Sequence, residues 1–493
     1  MGEIKKQGVV NTIITYLGIL IGALNMIVIQ PKLLSQEELG LSRLLYNSAY
    51  LIGLLVPLGL PNIIVKYFPL VKNKSNGHNG FAGFVLFVFC FGFGLIAGLL
   101  FLLKPWVIQI YQTNSSLLTE YYLLIIPFTL IVSAITISTT YSQALFKSAV
   151  PSFLNDIGIR ISQMVITFLY GFGFFSFSNF IWSYIGIYLL ELLILWIYIL
   201  IIDRPSFRFN RDLFQLLPLK KIIPFGLVLC LAAFASYGLK TIDGIILGSK
   251  SLGWVGVYTT AILIATFIEV PLGALERISH TKIADFFAKS DLKSISTVYQ
   301  KSVSHLMVVG GLLFVGINAC VEDLFLLFNL PKEYIETVMV VYIVSFGALI
   351  NVSTGVNSAI IYYSDHFVIG TIMLLVTLVV NVILNLFLIP QYGIYGAAVS
   401  SVLGSVIFNL SKYYYIYVKL GMQPFDFSSL KLMLVILPIA IGIHFYPTSE
   451  LHLLNLLMKG LIVTIIYCLL IWRLKLIPDQ IQEFISKRLK RIT

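Results

Sequence analysis

Apolar residues in this chain gather in long unbroken runs, with polar positions confined to the short stretches between them. A helix needs about 20 apolar residues to cross the hydrocarbon of a bilayer. Fourteen runs reach that length, from 9–30 and 44–65 through 155–175, 179–202, 222–247 and 253–275 to 334–354, 367–389, 393–417, 430–447 and 455–474. The pattern predicts an all-α integral membrane protein with about 14 transmembrane helices. Lys and Arg collect in alternate connections, the bias that sets orientation. With the N-terminus inside, the inner connections, counting Lys412 among them, hold 26 of the 33 basic residues, so both termini are expected to be cytoplasmic.

Composition narrows the class. Of 493 residues 58% are hydrophobic and 11% charged, against roughly 25% charged in a soluble domain, and the mean hydropathy is +0.94. The net charge of +11 lies in loops beside the membrane, where it reads as topology and contact with anionic membrane lipids and not as nucleic-acid binding. Cys90, Cys230, Cys320 and Cys468 sit in apolar runs without metal-ligand spacing, which indicates packing residues. The longest external acidic cluster is Glu322, Asp323, Glu333 and Glu336. No nucleophile, metal or phosphate-loop constellation occurs, so neither an enzyme nor a cofactor is expected.

The connection at 203–221, marked by Pro205 and Pro218, divides the chain. Residues 1–210 are expected to form an N-terminal lobe of helices one to six, 211–420 a second lobe of helices seven to twelve, and 421–477 helices thirteen and fourteen. The tail, 478–493, places Ile481, Phe484, Ile485, Leu489 and Ile492 at helical spacing among basic residues, as in an interfacial amphipathic helix. A weak internal repeat agrees with two halves: Leu33–Gly40 after helix one can be laid on Ile246–Gly253 after helix seven.

Charges inside the runs mark candidate chemistry, because an ionisable residue in hydrocarbon costs several kcal/mol unless it faces protein or a cavity. Lys240 and Asp243 lie three apart, on one helix face. Lys240 reads as a contact for an anionic substrate, with Asp243 as its partner in the empty state. Glu191, in Tyr188-Leu-Leu-Glu-Leu-Leu-Ile194, has no cation within a turn and is a candidate for proton coupling. Glu269, two residues before Pro271, is a second coupling candidate. Arg160, beside Asp156, reads as a structural pair near the cytoplasmic end and as a candidate substrate contact. Asn25 belongs to a set with Asn351, Asn357, Asn381, Asn385 and Asn409 that suits either sugar hydroxyls or hydrogen bonds between helices.

Three stretches together resemble one family. Asp243-Gly-Ile-Ile-Leu-Gly-Ser-Lys-Ser-Leu-Gly-Trp-Val-Gly-Val-Tyr258 resembles its signature after helix seven, and Asn381-Val-Ile-Leu-Asn-Leu-Phe-Leu-Ile-Pro-Gln-Tyr-Gly-Ile-Tyr-Gly-Ala-Ala398 its hairpin between helices eleven and twelve. Pro31-Lys-Leu-Leu-Ser-Gln-Glu-Glu-Leu-Gly40 resembles its first external loop. The family is the polysaccharide transporter branch, including the O-antigen or Wzx-type flippases, of the multidrug/oligosaccharidyl-lipid/polysaccharide (MOP) exporter superfamily. The resemblance implies two six-helix lobes around a cavity and two further C-terminal helices. It also implies outward transport of a polyprenyl-diphosphate-linked oligosaccharide across a bacterial cytoplasmic membrane, coupled to an ion gradient, with a glycan polymerase and chain-length machinery as partners. A lipid II-type or multidrug exporter of the same superfamily is the alternative; multidrug members commonly stop at twelve helices, and lipid II flippases tend to a more arginine-rich cavity, whereas Arg160 is the main membrane-embedded arginine expected here. A polytopic glycosyltransferase or glycan polymerase is the alternative from another class.

Overall fold

The computed structural model describes residues 14–208, 213, 217, 219–364, 367–446 and 449–476. The amphipathic tail expected at 478–493 lies outside them, as do both chain ends. The described residues form helices joined by short connections, with no strand among them. Ten helices are long and apolar enough to cross a membrane, or eleven when one bent pair is taken as a single span. The number falls below the expected fourteen because some runs form broken helices and two others, 367–389 and 393–417, join in one 54-residue helix.

Contacts divide the chain into two compact units, Met1–Val257 and Tyr258–Thr493. Unit 1 begins with α1 (Ile14–Leu33), which contains a π-helical stretch at Leu24–Ile29. Helix α2 (Gln36–Gly53) opens on a capping box: Ser35 accepts from the Glu38 backbone N–H, and the Glu38 carboxylate accepts from the Ser35 N–H at 2.8 Å. The run expected at 44–65 breaks after α2 and resumes as α3 (Leu60–Val71), behind Gly59 at φ +85°. Then follow α4 (Phe81–Tyr111), α5 (Ser116–Ala144), α6 (149–171, π-helical at Leu154–Gly158) and α7 (Phe177–Ile202). The core gathers Ile64, Phe68, Phe81 and Tyr141.

Helix α8 (Leu219–Gly248) also belongs to unit 1. Its docking uses glycines where no side chain would fit. A Cβ on Gly59 would strike the Gly226 carbonyl, and a Cβ on Gly40 the Leu252 carbonyl; one on Gly256 would lie 2.5 Å from the Gln36 oxygen. Gly40 and Gly256 thus seat the start of α9 (Leu252–Ala288) on α2, so the two stretches paired as a repeat pack against each other. The contact boundary therefore falls at Val257/Tyr258, one helix later than the 210/211 division expected from the loops.

Unit 2 holds the rest of α9, which tightens into a 3-10 turn at Phe267–Glu269, then α10 (Leu292–Leu327) and the short α11 (Lys332–Glu336). Helices α12 (Val338–Ser353) and α13 (Asn357–Tyr363) are bent by 52° at the intervening turn, where Gly355 has φ +64°. The 54-residue run α14 (Phe367–Leu420) doubles back at Gly393 (φ 56°, ψ −130°). Asn381 donates to the Ser400 carbonyl across the fold at 3.1 Å, as expected of the 381–398 hairpin. Helices α15 (Phe427–Gly442) and α16 (His452–Arg473) pack on α10 around Tyr299, Val303, Ile436 and Tyr467.

Candidate functional site

The polar chemistry inside unit 1 gathers on α1, α2, α6 and α7. Arg43, 7% exposed in the body of α2, donates to the Gln30 side-chain oxygen at 2.8 Å and to the Met26 carbonyl at 3.5 Å. Its charge also reaches Tyr184. Arg160 donates to the Gly18 carbonyl at 2.5 Å, and a Cβ on Gly22 would collide with its guanidinium. The Gly18-x-x-x-Gly22 face of α1 therefore lets α6 approach closely, the small-residue packing that membrane helices use. Both α1 and α6 carry their π-helical stretches here, a distortion frequent at functional sites.

Aromatic rings form the other wall. Tyr46 and Tyr188 stand 5.4 Å apart between centroids, Phe128 and Tyr188 5.1 Å, and Gln163 donates to the Tyr188 hydroxyl at 3.1 Å. Below Tyr188 on α7 lies Glu191, 4% exposed, with neither carboxylate oxygen hydrogen-bonded among the described residues. Asn25 is wholly buried in the π-helical stretch, its amide likewise without a partner. On α8 Tyr237 donates to Asn47 at 3.2 Å and packs on Tyr50 at 4.6 Å.

Unit 2 has a buried polar chain of its own at the α12–α13 break. Asn351 donates to Glu269 at 2.8 Å; Asn409 donates to Asn351 at 3.2 Å and accepts from Thr354 at 2.9 Å. Farther along, Lys412, 3% exposed, donates to Ser358 at 3.1 Å and lies 4.1 Å from the centre of the Phe408 ring. A broken helix frees backbone groups that polar side chains must then satisfy, and this one is tolerated because it is buried in protein. A second pair, Asp323 with Lys459 at 2.6 Å, supported by Asn455 at 2.9 Å, joins α10 to α16.

Two solved structures have this architecture. One, described as the lipid II flippase MurJ in an inward closed conformation, superposes with a TM-score of 0.70 at 14% identity, covering 94% of this chain and 99% of that one. The other, an inward-facing multidrug resistance MATE family transporter of the MOP superfamily, gives 0.62 at 14% identity, covering 84% and 98%. The fold is that of the MurJ and MATE transporters. In sequence, an uncharacterised membrane protein of Methanocaldococcus jannaschii is 23% identical over 461 residues, 88% of each chain. No family model matches.

Within this MurJ/MATE fold the candidate residues separate. Asn25, Arg160 and Glu191 fall in the unit 1 cluster, and Glu269 in the unit 2 chain. Lys240 and Asp243 do not form the expected resting pair: Asp243 is wholly buried, while Lys240 is exposed on α8 and makes no ion pair among the described residues. Arg160 and Asp156 make no ion pair among the described residues, although the Asp156 charge acts on Arg160; both turn to α1, where Asp156 accepts from Thr15 at 3.0 Å. Two charges counted with the connections, Lys412 and Asp323, are helix residues in the interior, and so is Arg43, which lies just outside the run expected at 44–65. Arg43 was the legible one, since a lone arginine in Leu41-Ser-Arg-Leu-Leu45 is a membrane-charge signal once α2 is extended toward Ser35. Arg43 is thus a buried arginine in the same unit as the half-buried Arg160.

Proposed function

We propose that this chain is a flippase that carries a polyprenyl-diphosphate-linked oligosaccharide from the cytoplasmic to the outer leaflet of a bacterial cytoplasmic membrane. The cargo would serve O-antigen, capsule or exopolysaccharide assembly, passing to a glycan polymerase and its chain-length machinery. Transport proceeds by alternating access coupled to an ion gradient, with Glu191 and Glu269 as the coupling carboxylates.

The unit 1 cluster carries this reading. A diphosphate leaving water needs compensating charge and donors, and a guanidinium matches phosphate geometry with two parallel N–H groups. Arg160 is held by a neutral carbonyl, without an ion pair among the described residues. Tyr46 and Tyr188 add hydroxyls and ring faces, and Asn25 an amide whose hydrogen-bonding capacity is unspent. Lys240, exposed on α8, remains an anion contact, and Asp243 a buried residue beneath it. A lipid II-type cargo is the second reading, favoured by the 0.70 superposition on a lipid II flippase and by Arg43, a buried arginine in addition to the half-buried Arg160.

The test is complementation of two hosts, one lacking its O-antigen flippase and one depleted of its lipid II flippase, with glycan output normalised to membrane-inserted protein. Rescue of the first host supports the primary reading, and rescue of the second host alone replaces it with the lipid II reading. Rescue of neither overturns both. Within the rescued host, Arg43→Gln and Arg160→Gln are expected to lose most output, since truncating one partner of a buried charge contact costs about 2–5 kcal/mol. Lys240→Gln should lose more than Lys240→Arg, and Asp243→Asn less than either arginine variant. Output at the wild-type level from both arginine variants would remove the cluster from the binding site.

A further inference from the structure

We propose that unit 1 holds one anionic phospholipid, with an acyl chain in a cavity walled by α4, α5 and α7 and the phosphate on Arg204 and Arg208. The cavity is a groove open on one side, with about 90 Å³ of free space, lined by Val85, Phe89, Ile137, Ile199, Leu200 and Phe207 among others. Its polar groups are spent elsewhere: Ser138 donates to the Ala134 carbonyl at 2.8 Å and Tyr141 to Asp203 at 2.6 Å. What remains is a hydrocarbon wall. Trp196, Leu200 and Phe207, 42%, 45% and 46% exposed, border its opening, and Trp196 stacks on Phe207 at 6.4 Å. The walls α4, α5 and α7 all belong to helices long and apolar enough to cross a membrane, so the medium outside is bilayer. An empty slot there would forfeit dispersion contacts on every wall, which a lipid chain supplies.

The inner end of the slot is closed by residues 204–208, and this connection is held firmly. Asp203 accepts from Tyr141 and lies 3.0 Å from His78 Nε2. The Asn73 N–H donates to His78 Nδ1 at 3.0 Å, which puts the proton of a neutral ring on Nε2, facing Asp203. A Cβ on Gly83 would lie 2.6 Å from the Phe207 carbonyl, and one on Gly77 would strike Ser206. Arg204 and Arg208 flank the lining residues Pro205 and Phe207, are exposed, and make no ion pair among the described residues. An apolar slot with two unpaired guanidiniums at its rim has the complementarity of a phospholipid with a net negative headgroup. The slot shares neither Arg43 nor Arg160 with the cluster assigned to cargo.

Native mass spectrometry of the full chain, delipidated in detergent and titrated with phosphatidylglycerol or phosphatidylcholine of identical chains, tests the site. The wild type is expected to retain one phosphatidylglycerol, preferred about tenfold over phosphatidylcholine. Ala134→Leu, which fills the slot, should lose the bound lipid, and Arg204→Gln with Arg208→Gln should lose the headgroup preference while keeping a chain. Should Ala134→Leu fail to fold, a photoreactive phosphatidylglycerol on the wild type must label the 82–89 and 134–141 segments. Equal retention of the two lipids, full retention by a folded Ala134→Leu, labelling confined to other segments, or displacement of phosphatidylglycerol by an equimolar polyprenyl phosphate would each overturn the proposal. None of these readouts depends on what the chain transports.

Discussion

Glu191 and Lys412 are opposite charges in the interiors of different units, and neither has an ion-pair partner among the described residues. Burying an unpaired charge is expensive, and a stem of the same shape without the charge is often as stable or more so. Glu191→Gln should therefore fold and melt like the wild type in detergent, while glycan output loses its dependence on the imposed pH gradient. Unchanged dependence would make Glu191 a packing residue. Lys412→Met should likewise hold or raise the melting temperature, whereas Lys412→Ala should lower it, because the lost stem leaves a cavity worth about 2 kcal/mol or more. A Lys412→Met protein that fails to assemble would assign the ammonium a structural duty beside Ser358 and Phe408. The sequence made Glu191 conspicuous because four apolar residues surround it at close range. Lys412 lay within the expected run 393–417 but was counted with Lys419 and Lys431 as charge of an inner connection, and its burial on α14 was therefore missed.

Helix breaks matter more here than helices. Gly355 has φ +64°, and its Cβ would sit 2.5 Å from the Ser302 hydroxyl, which accepts from the Val356 N–H at 3.2 Å. Gly355→Ala combines backbone strain of about 1–3 kcal/mol with the loss of that hydrogen bond. It should lower the melting temperature and loosen the Glu269–Asn351–Asn409 chain at the same break, read as faster hydrogen exchange in 351–364. A variant melting at the wild-type temperature would mean that the turn adopts another conformation without penalty. The existence of the helices and the hairpin near Gly393 was legible, since apolar length alone demands a span and the Pro390–Gly393 stretch demands a reversal. The interruption at 54–59 was not, because the residues around it stay apolar and a run does not record where its hydrogen-bond ladder stops; at 354 the end of the run was legible in Asn351-Val-Ser-Thr-Gly-Val-Asn-Ser358, but the short helix that resumes at Asn357 was not. Pairs such as Asp323 with Lys459, 136 positions apart, are beyond any local pattern.

The whole chain is two units whose border lies inside α9, and the glycine contacts explain why. A fragment of residues 1–210 ends before α8 and leaves Gly40 and Gly59 facing no partner. A fragment of residues 1–266 contains both docking sites. The longer fragment, expressed alone in membranes, should resist limited proteolysis at sites in unit 1 where the shorter one is cut; equal resistance would make α8 a passenger and not a constituent. The same feature bears on biosynthesis. Helices α1 to α7 will have left the ribosome and entered the bilayer while two backbone surfaces on α2 and at the start of α3 still lack the helix that fits them. The growing chain must hold those faces uncommitted until residue 257 is made, so insertion and tertiary docking of the first unit are separate events in time, and a pause in translation near 210 would be the moment of greatest exposure to degradation.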